Sequence, residues 1–252
     1  MADIGAIHIC EAPPGRWWGR HLHELRWQAE AARLVADPVF YGIGVPHGDG
    51  RPVLVLPGFL AGDYTLKPMA GWLARIGYDP SVAGFVANVG CSQRAAEHAA
   101  TRLRELHERG GRRVAVIGHS RGGHYARVLA VRHPDLVSHA IALGGGLTSQ
   151  EEVSVPAHAA IAVVRTVHRH TTDRVARNGC LGDDCACAFG TDYRAALPGD
   201  VRLTSIYSRG DGVVRWQSCL SDDARCVEVT GSHVGLIFNR KVYRAIAGEL
   251  AR

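Results

Sequence analysis

The run Arg113-Val114-Ala115-Val116-Ile117-Gly118-His119-Ser120-Arg121-Gly122-Gly123-His124-Tyr125-Ala126-Arg127-Val128-Leu129 decides how the rest of the chain is read. Arg113 to Ile117 is a short, largely β-branched run with the character of a buried strand, and Gly123 to Leu129 leaves as a helix. Between them Gly118-His119-Ser120-Arg121-Gly122 has the form Gly-x-Ser-x-Gly. That pattern builds a sharp strand-to-helix turn with the serine at its apex. The glycines at its ends let strand and helix pass closely. The pentapeptide alone is a weak signal in a chain with 30 glycines; the strand before it and the helix after it give it weight.

Upstream, Pro52 to Leu56 is an apolar run ending at Pro57-Gly58, Leu66 to Ile76 is an amphipathic helix with Gly77 as its C-terminal cap, and Tyr78 to Val86 is a weaker strand. Ser92 to Arg109 is a helix closed by Gly110-Gly111. Downstream, the helix from Gly122 ends at His133-Pro134, and Val137 to Leu143 is a strand closed by Gly144-Gly145-Gly146. Val201 to Tyr207 and Arg225 to Val229 are two more strands, and Asn239 to Leu250 is the last helix. Strands alternating with helices predict an α/β fold, with a mainly parallel sheet of about six strands and helices on both faces. The length of 252 residues suits one such domain over residues 1–252. Residues 1–50 are expected as an N-terminal helical extension, with Trp17, Trp18 and Trp27 packing it onto the domain. The segment Thr148 to Pro198 fits no regular alternation and is expected as an inserted cap or lid.

A serine hydroxyl is a poor nucleophile at neutral pH and needs a base, and the base needs a carboxylate to fix its tautomer. In a strand-turn-helix site of this kind the chain order is serine, acid, histidine. Asp211 follows the strand Leu203-Thr204-Ser205-Ile206-Tyr207, on the rim where open α/β sheets bind ligands. Asp222 and Asp223 are its rivals, whereas Asp200 precedes its strand and belongs at the other end of the sheet. Of the 14 histidines, His233 is the one that follows the last strand, in Thr230-Gly231-Ser232-His233-Val234-Gly235. His119 and His124 flank the serine and read as packing or pocket-lining residues. A tetrahedral oxyanion needs preorganised N–H donors. The backbone N–H of Arg121 is one candidate, and Phe59, ahead of Leu60, is the choice from the loop after the first strand.

These residues together bear a resemblance. Leu56-Pro57-Gly58-Phe59, Gly118-His119-Ser120-Arg121-Gly122-Gly123, Tyr207-Ser208-Arg209-Gly210-Asp211-Gly212-Val213-Val214 and Gly231-Ser232-His233-Val234-Gly235 are similar to the corresponding stretches of bacterial α/β-hydrolases of the lipase/esterase type. The resemblance runs from about Pro52 to the C-terminus. It implies the α/β-hydrolase fold and hydrolysis of carboxylic esters, with Ser120, Asp211 and His233 as the triad. The departure is at the N-terminus, where the first two strands of a full-length member are not evident before Pro52. The same superfamily carries out other reactions, so acyl transfer, lyase chemistry with the same triad, and a binding module without turnover stay open.

Composition narrows the remaining classes. Hydrophobic residues make up 46% of the chain and charged residues 21%, an ordinary globular balance. The net charge of +5 comes from arginines spread along the sequence rather than gathered in one segment, so no nucleic-acid partner is expected. No run of about 18 apolar residues predicts a membrane helix. The N-terminus has no basic and apolar leader, so a cytoplasmic setting is expected, with secretion open if a leader has been removed. Seven cysteines pull the other way, towards an oxidising compartment. Cys219 and Cys226 are candidates for a disulfide, or for two reduced thiols. Cys180, Cys185 and Cys187 near His168 and His170 lack the spacing of the usual zinc motifs, and no metal or other cofactor is expected. Arg209, Arg215 and Trp216 are candidates to line the pocket. The substrate class is a small-molecule or lipid ester, and the sequence leaves the oligomeric state open.

Overall fold

The structure is a computed structural model that describes residues 23–169 and 187–252. Six strands form one sheet: β1 (Pro52–Leu56), β2 (Asp79–Val82), β3 (Val114–His119), β4 (Val137–Leu143), β5 (Arg202–Ser208) and β6 (Arg225–Val229). They lie in the order β2-β1-β3-β4-β5-β6, and every neighbouring pair is parallel. β1 and β3 are buried along their whole length, which explains why they read as unbroken apolar runs rather than as alternating ones.

The two faces of the sheet carry separate cores. On one side α3 (Ser92–Gly110), α4 (Arg121–Arg132) and α6 (Ala188–Arg194) pack Leu103, Leu106, Tyr125, Leu129, Phe189 and Tyr193 against Leu54, Val116 and Ala140. On the other, α1 (Trp27–Val35), α2 (Lys67–Arg75) and α7 (Arg240–Leu250) pack Leu34, Trp72, Leu73, Tyr243 and Ile246 against Val53, Val55, Ile117 and Ile206. Trp72 is fully buried and donates its Nε1–H to the Val39 carbonyl at 2.7 Å. Its polar edge is therefore satisfied inside the core.

The described part of the N-terminal extension opens with a turn of 3-10 helix over 23–26 that runs into α1. It breaks at Asp37, whose carboxylate accepts from the Val39 N–H and starts a further 3-10 turn, Pro38–Tyr41. No strand precedes β1 among the described residues. Trp17 and Trp18 lie outside the described residues, while the partly exposed Trp27 packs tilted against Phe238, ring centroids 5.6 Å apart. The segment 148–198 is more regular than its sequence suggested. It contains α5 (Val155–Arg169) and α6, although its middle part lies outside the described residues. The alternation was hard to see because α5 is rich in Ala and Val, with no charged stripe to mark its period.

The parallel register brings the strand ends level. Leu56 pairs with Gly118, His119 with Leu143, Leu143 with Ile206, and Ser208 with Val229. The loops that leave β1, β3, β4, β5 and β6 consequently gather along one edge of the sheet, and all the candidate residues stand there.

Candidate active site

Ser120 sits between β3 and α4 with φ +52° and ψ −120°. A non-glycine residue at positive φ is strained, and here the surroundings enforce it. The Ser120 N–H donates to the Leu143 carbonyl at 2.8 Å, and the Ser120 carbonyl accepts from the Gly123 N–H at 2.8 Å. The flanking glycines are required by contact: a Cβ on Gly118 would lie 2.0 Å from the Gly122 carbonyl oxygen, and one on Gly122 2.3 Å from that of Leu56. The serine is thus held at the apex of the turn, partly exposed to a cavity.

Asp211 and His233 meet. His233 Nδ1 lies 2.7 Å from Asp211 Oδ2, and both residues are buried. The other carboxylate oxygen, Oδ1, accepts from the N–H groups of Val213 at 2.8 Å and Val214 at 2.7 Å. Asp211 is therefore fixed by its own loop, with one oxygen left for the imidazole. Burial is the largest influence on His233 and disfavours its charge, but the Asp211 carboxylate and its hydrogen bond, with help from Glu24, outweigh burial. The imidazole is held above its ordinary value. Gly144, at the end of β4, lies directly against this pair: a Cβ there would be 3.2 Å from both Asp211 Oδ2 and His233 Nδ1. A Cβ on the next residue, Gly145, would be 2.7 Å from the Ser120 carbonyl oxygen. The glycine run thus underlies both halves of the site, a meaning that the sequence reading did not give it.

His119 is not a bystander. Its Nε2–H donates to the His233 carbonyl at 3.0 Å, and the two rings are 4.8 Å apart. Burial and the neighbouring His233 push its pKa down to about 3, so it stays a neutral donor. His124 lines the cavity beside Ser120, and burial with the adjacent Arg121 lowers it also to about 3. The Arg121 side chain turns away from solvent. Its guanidinium donates to the Asn88 carbonyl and Oδ1, the Gly90 carbonyl and Ser92 Oγ.

The proposed oxyanion donors can be compared directly. The Leu60 N–H is spent on the Asn88 carbonyl at 3.2 Å. The backbone N–H groups of Phe59 and Arg121 make no hydrogen bond among the described residues, and both residues line the cavity with Ser120. That cavity is about 70 Å³, with Val153, Ala157, Ile161, Val213 and Val214 as its apolar wall. A larger one of about 370 Å³ lies behind the histidine loop, between α1 and the Gly231-Ser232 backbone. Ser120 does not line it, so size alone would have pointed to the wrong place.

The rival acids are accounted for. Asp223 pairs with the buried Arg127 at 2.7 Å, Asp222 is exposed, and Asp200 pairs with Arg113 at 3.1 Å near the opposite sheet edge. Arg209, Arg215 and Trp216 do not line the Ser120 cavity. Arg209 lies over the Trp216 ring and pairs with Glu228, while Arg215 approaches Glu152. Cys219 and Cys226 are both thiols rather than a disulfide. Cys219 is buried in the loop core with Tyr207 and Val214, Cys226 is exposed on β6, and burial pushes the Cys219 thiol pKa up. Cys180, Cys185 and His170 lie outside the described residues, as does the His168 side chain, and no group of metal-ligating residues occurs among the described ones. No described helix is long and apolar enough to cross a membrane. Two residues that the sequence reading passed over, Glu24 and Glu30, reach the loops of Asp211 and His233 from the N-terminal extension.

A family model described as "Putative esterase" matches residues 99–186, which include the later part of α3, the Ser120 turn and α5. A solved structure of the mature Bacillus licheniformis lipase BlEst2 superposes with a TM-score of 0.60 at 15% identity, covering 82% of this chain and 95% of that one. The metagenomic carboxyl esterase MGS0156 gives 0.61 at 14% identity, covering 82% and 76%. A monoacylglycerol lipase from Paleococcus ferrophilus gives 0.53 at 13% identity, covering 82% and 96%. No curated protein matches the sequence. The fold is that of the α/β-hydrolases. The partial match to the esterase model supports a carboxylic ester hydrolase.

Proposed function

We propose that this protein hydrolyses carboxylic esters through an acyl-enzyme on Ser120. The observation that carries the reading is the convergence of two features on one sheet edge: the strained Ser120 turn, and a buried His233–Asp211 pair at 2.7 Å. His233 Nε2 takes the hydroxyl proton as Ser120 Oγ attacks the ester carbonyl. Asp211 keeps the Nδ1–H tautomer and stabilises the imidazolium. The oxyanion lies between the N–H groups of Phe59 and Arg121, which donate to nothing else among the described residues. His233 then passes its proton to the leaving alcohol. Water, deprotonated by His233, attacks the acyl group, and the carboxylic acid leaves as Ser120 is restored.

The cavity favours short acyl groups. At about 70 Å³ it is far below the several hundred Å³ typical of drug-sized ligand sites. The test is release of p-nitrophenol from C2 to C16 esters by wild type and Ser120→Ala. Turnover highest at C2–C4 and absent in the mutant is the expected result. Equal turnover in both proteins, or none in a folded wild type, rejects the serine mechanism; a C12–C16 optimum rejects the short-acyl assignment.

A further inference from the structure

The loops that hold the candidate acid and base are separate: Asp211 follows β5, His233 follows β6, and the two stand 22 positions apart in sequence. One side chain from outside both loops binds them together. Glu24 Oε1 accepts from the N–H of Gly212 at 3.0 Å and from that of His233 at 2.9 Å. Glu24 Oε2 accepts from the Val234 N–H at 2.9 Å. No cationic side chain neutralises this half-buried carboxylate among the described residues; the three main-chain donors are its partners.

A second carboxylate from the same extension fixes the loop beside it. Glu30 is buried and accepts from the Ser232 N–H at 2.9 Å through Oε1 and from Ser232 Oγ at 2.7 Å through Oε2. Gly235 makes room for it: a Cβ there would lie 1.4 Å from Glu30 Oε2. The histidine loop is thus shaped to receive the extension, and Trp27, tilted against Phe238, holds α1 over it.

We propose that Glu24 is a positioning residue for catalysis, one carboxylate that ties the Asp211 loop to the His233 loop and sets the spacing of the pair. The proposal rests on the serine-hydrolase reading above. Only a carboxylate presents two acceptor oxygens to three N–H groups; glutamine keeps the oxygen facing Gly212 and His233 but turns an NH₂ towards the Val234 N–H. Misplacing a reacting group by about 1 Å costs about 100-fold in rate, so a loosened clamp lowers turnover rather than substrate binding.

The experiment uses the full chain, p-nitrophenyl acetate and the variants Glu24→Ala and Glu24→Gln. Alanine is expected to lower kcat about 10- to 100-fold with KM within about twofold, and glutamine to recover at least about threefold of the loss. Amide hydrogen exchange across 210–214 and 231–236 is expected to quicken in Glu24→Ala. If the alanine variant does not fold, a kcat loss of at least threefold in Glu24→Gln carries the test. An unchanged kcat in the folded variants, a change in KM alone, or a loss that glutamine does not soften overturns the proposal. If wild type shows no Ser120-dependent turnover, the ester-hydrolase reading falls by itself. The exchange data then decide the clamp: faster exchange in both loops sustains it and unchanged exchange rejects it.

Discussion

At the scale of single residues, the candidate site is held by atoms that lie behind its reacting groups. Gly144 shows this most sharply. It has φ +58°, and a Cβ there would press to 2.7 Å on Leu236 Cδ1 as well as to 3.2 Å on Asp211 Oδ2 and His233 Nδ1. Gly144→Ala therefore adds strain from the left-handed backbone and pushes on both members of the pair. We expect it to cost about 1–3 kcal/mol of stability and at least tenfold in kcat, measured by thermal melts alongside ester turnover; an alanine variant with full kcat would show that the pair tolerates displacement. Asp211→Asn tests the pair chemically. Asparagine can still accept from Val213 and Val214, but it no longer fixes the tautomer of His233, and a kcat loss of about 10⁴-fold is expected. Retained activity would place the acid elsewhere, although Asp223 is already engaged with Arg127. The pH profile has a definite sign. As the proposed base His233 works only when neutral, and its pKa is raised above the ordinary value of about 6.5. kcat/KM should thus rise with pH through an apparent pKa above that value, and a midpoint well below it would contradict the Asp211–His233 contact.

At the scale of elements, α4 does two jobs that separate experimentally. Its first turn presents Ser120 and Arg121, while its middle anchors the loop between β5 and β6 through Arg127. That guanidinium is buried and holds Asp223 Oδ1 at 3.0 Å and Oδ2 at 2.7 Å, besides the carbonyls of Tyr193 and Ala195. Removing the carboxylate leaves a buried cation short of a partner, which costs several kcal/mol when both groups are fully buried. Asp223 is partly exposed, so we expect about 2 kcal/mol from Asp223→Asn, with kcat within about threefold; a catalytic collapse comparable to that of Asp211→Asn would mean that the two loops are not independent. The same element shows what was legible in the sequence. Its strand, glycine turn and helix are encoded within 17 residues of chain, and the fully buried β1 and β3 declare themselves by unbroken apolar runs. The chain order of Ser120, Asp211 and His233 was legible for the same local reason, since each follows the end of a strand. Glu24 was not legible, because its partners stand 188 to 210 residues away and are main-chain groups that leave no mark on composition. The thiol state of Cys219 and Cys226 was equally hidden, because it depends on which face of the loop each side chain takes.

At the scale of the whole molecule, burial of histidine on both sides of the sheet makes stability depend on acid. His119 and His124 are lowered to about 3, and His139, pushed down by burial and by Arg202, Arg51 and Arg113, to about 4. Above about pH 6.5 these three are neutral whether the chain is folded or not. Below it the unfolded chain takes up protons that the folded one refuses, so stability present at neutral pH is lost as pH falls. Three such sites give a limiting slope of about 4 kcal/mol per pH unit between about pH 6 and pH 4. A typical domain has only about 5–15 kcal/mol to lose. His233 works in the opposite sense: its raised pKa adds stability below about pH 6.5 that disappears as pH climbs through the folded value. The carboxylates of Asp37 and Asp223 are lowered from 3.8, so their contribution fades only below the histidine window. Melting temperature should therefore fall steeply from pH 6.5 to pH 4.5, where the three buried histidines outnumber His233. His139 lies outside the candidate site, and its Nε2 has no hydrogen-bond partner among the described residues. His139→Gln should remove about a third of the acid slope while ester turnover at pH 8 stays within about twofold. A melting temperature flat down to pH 4.5 would mean that these histidines take up protons without unfolding.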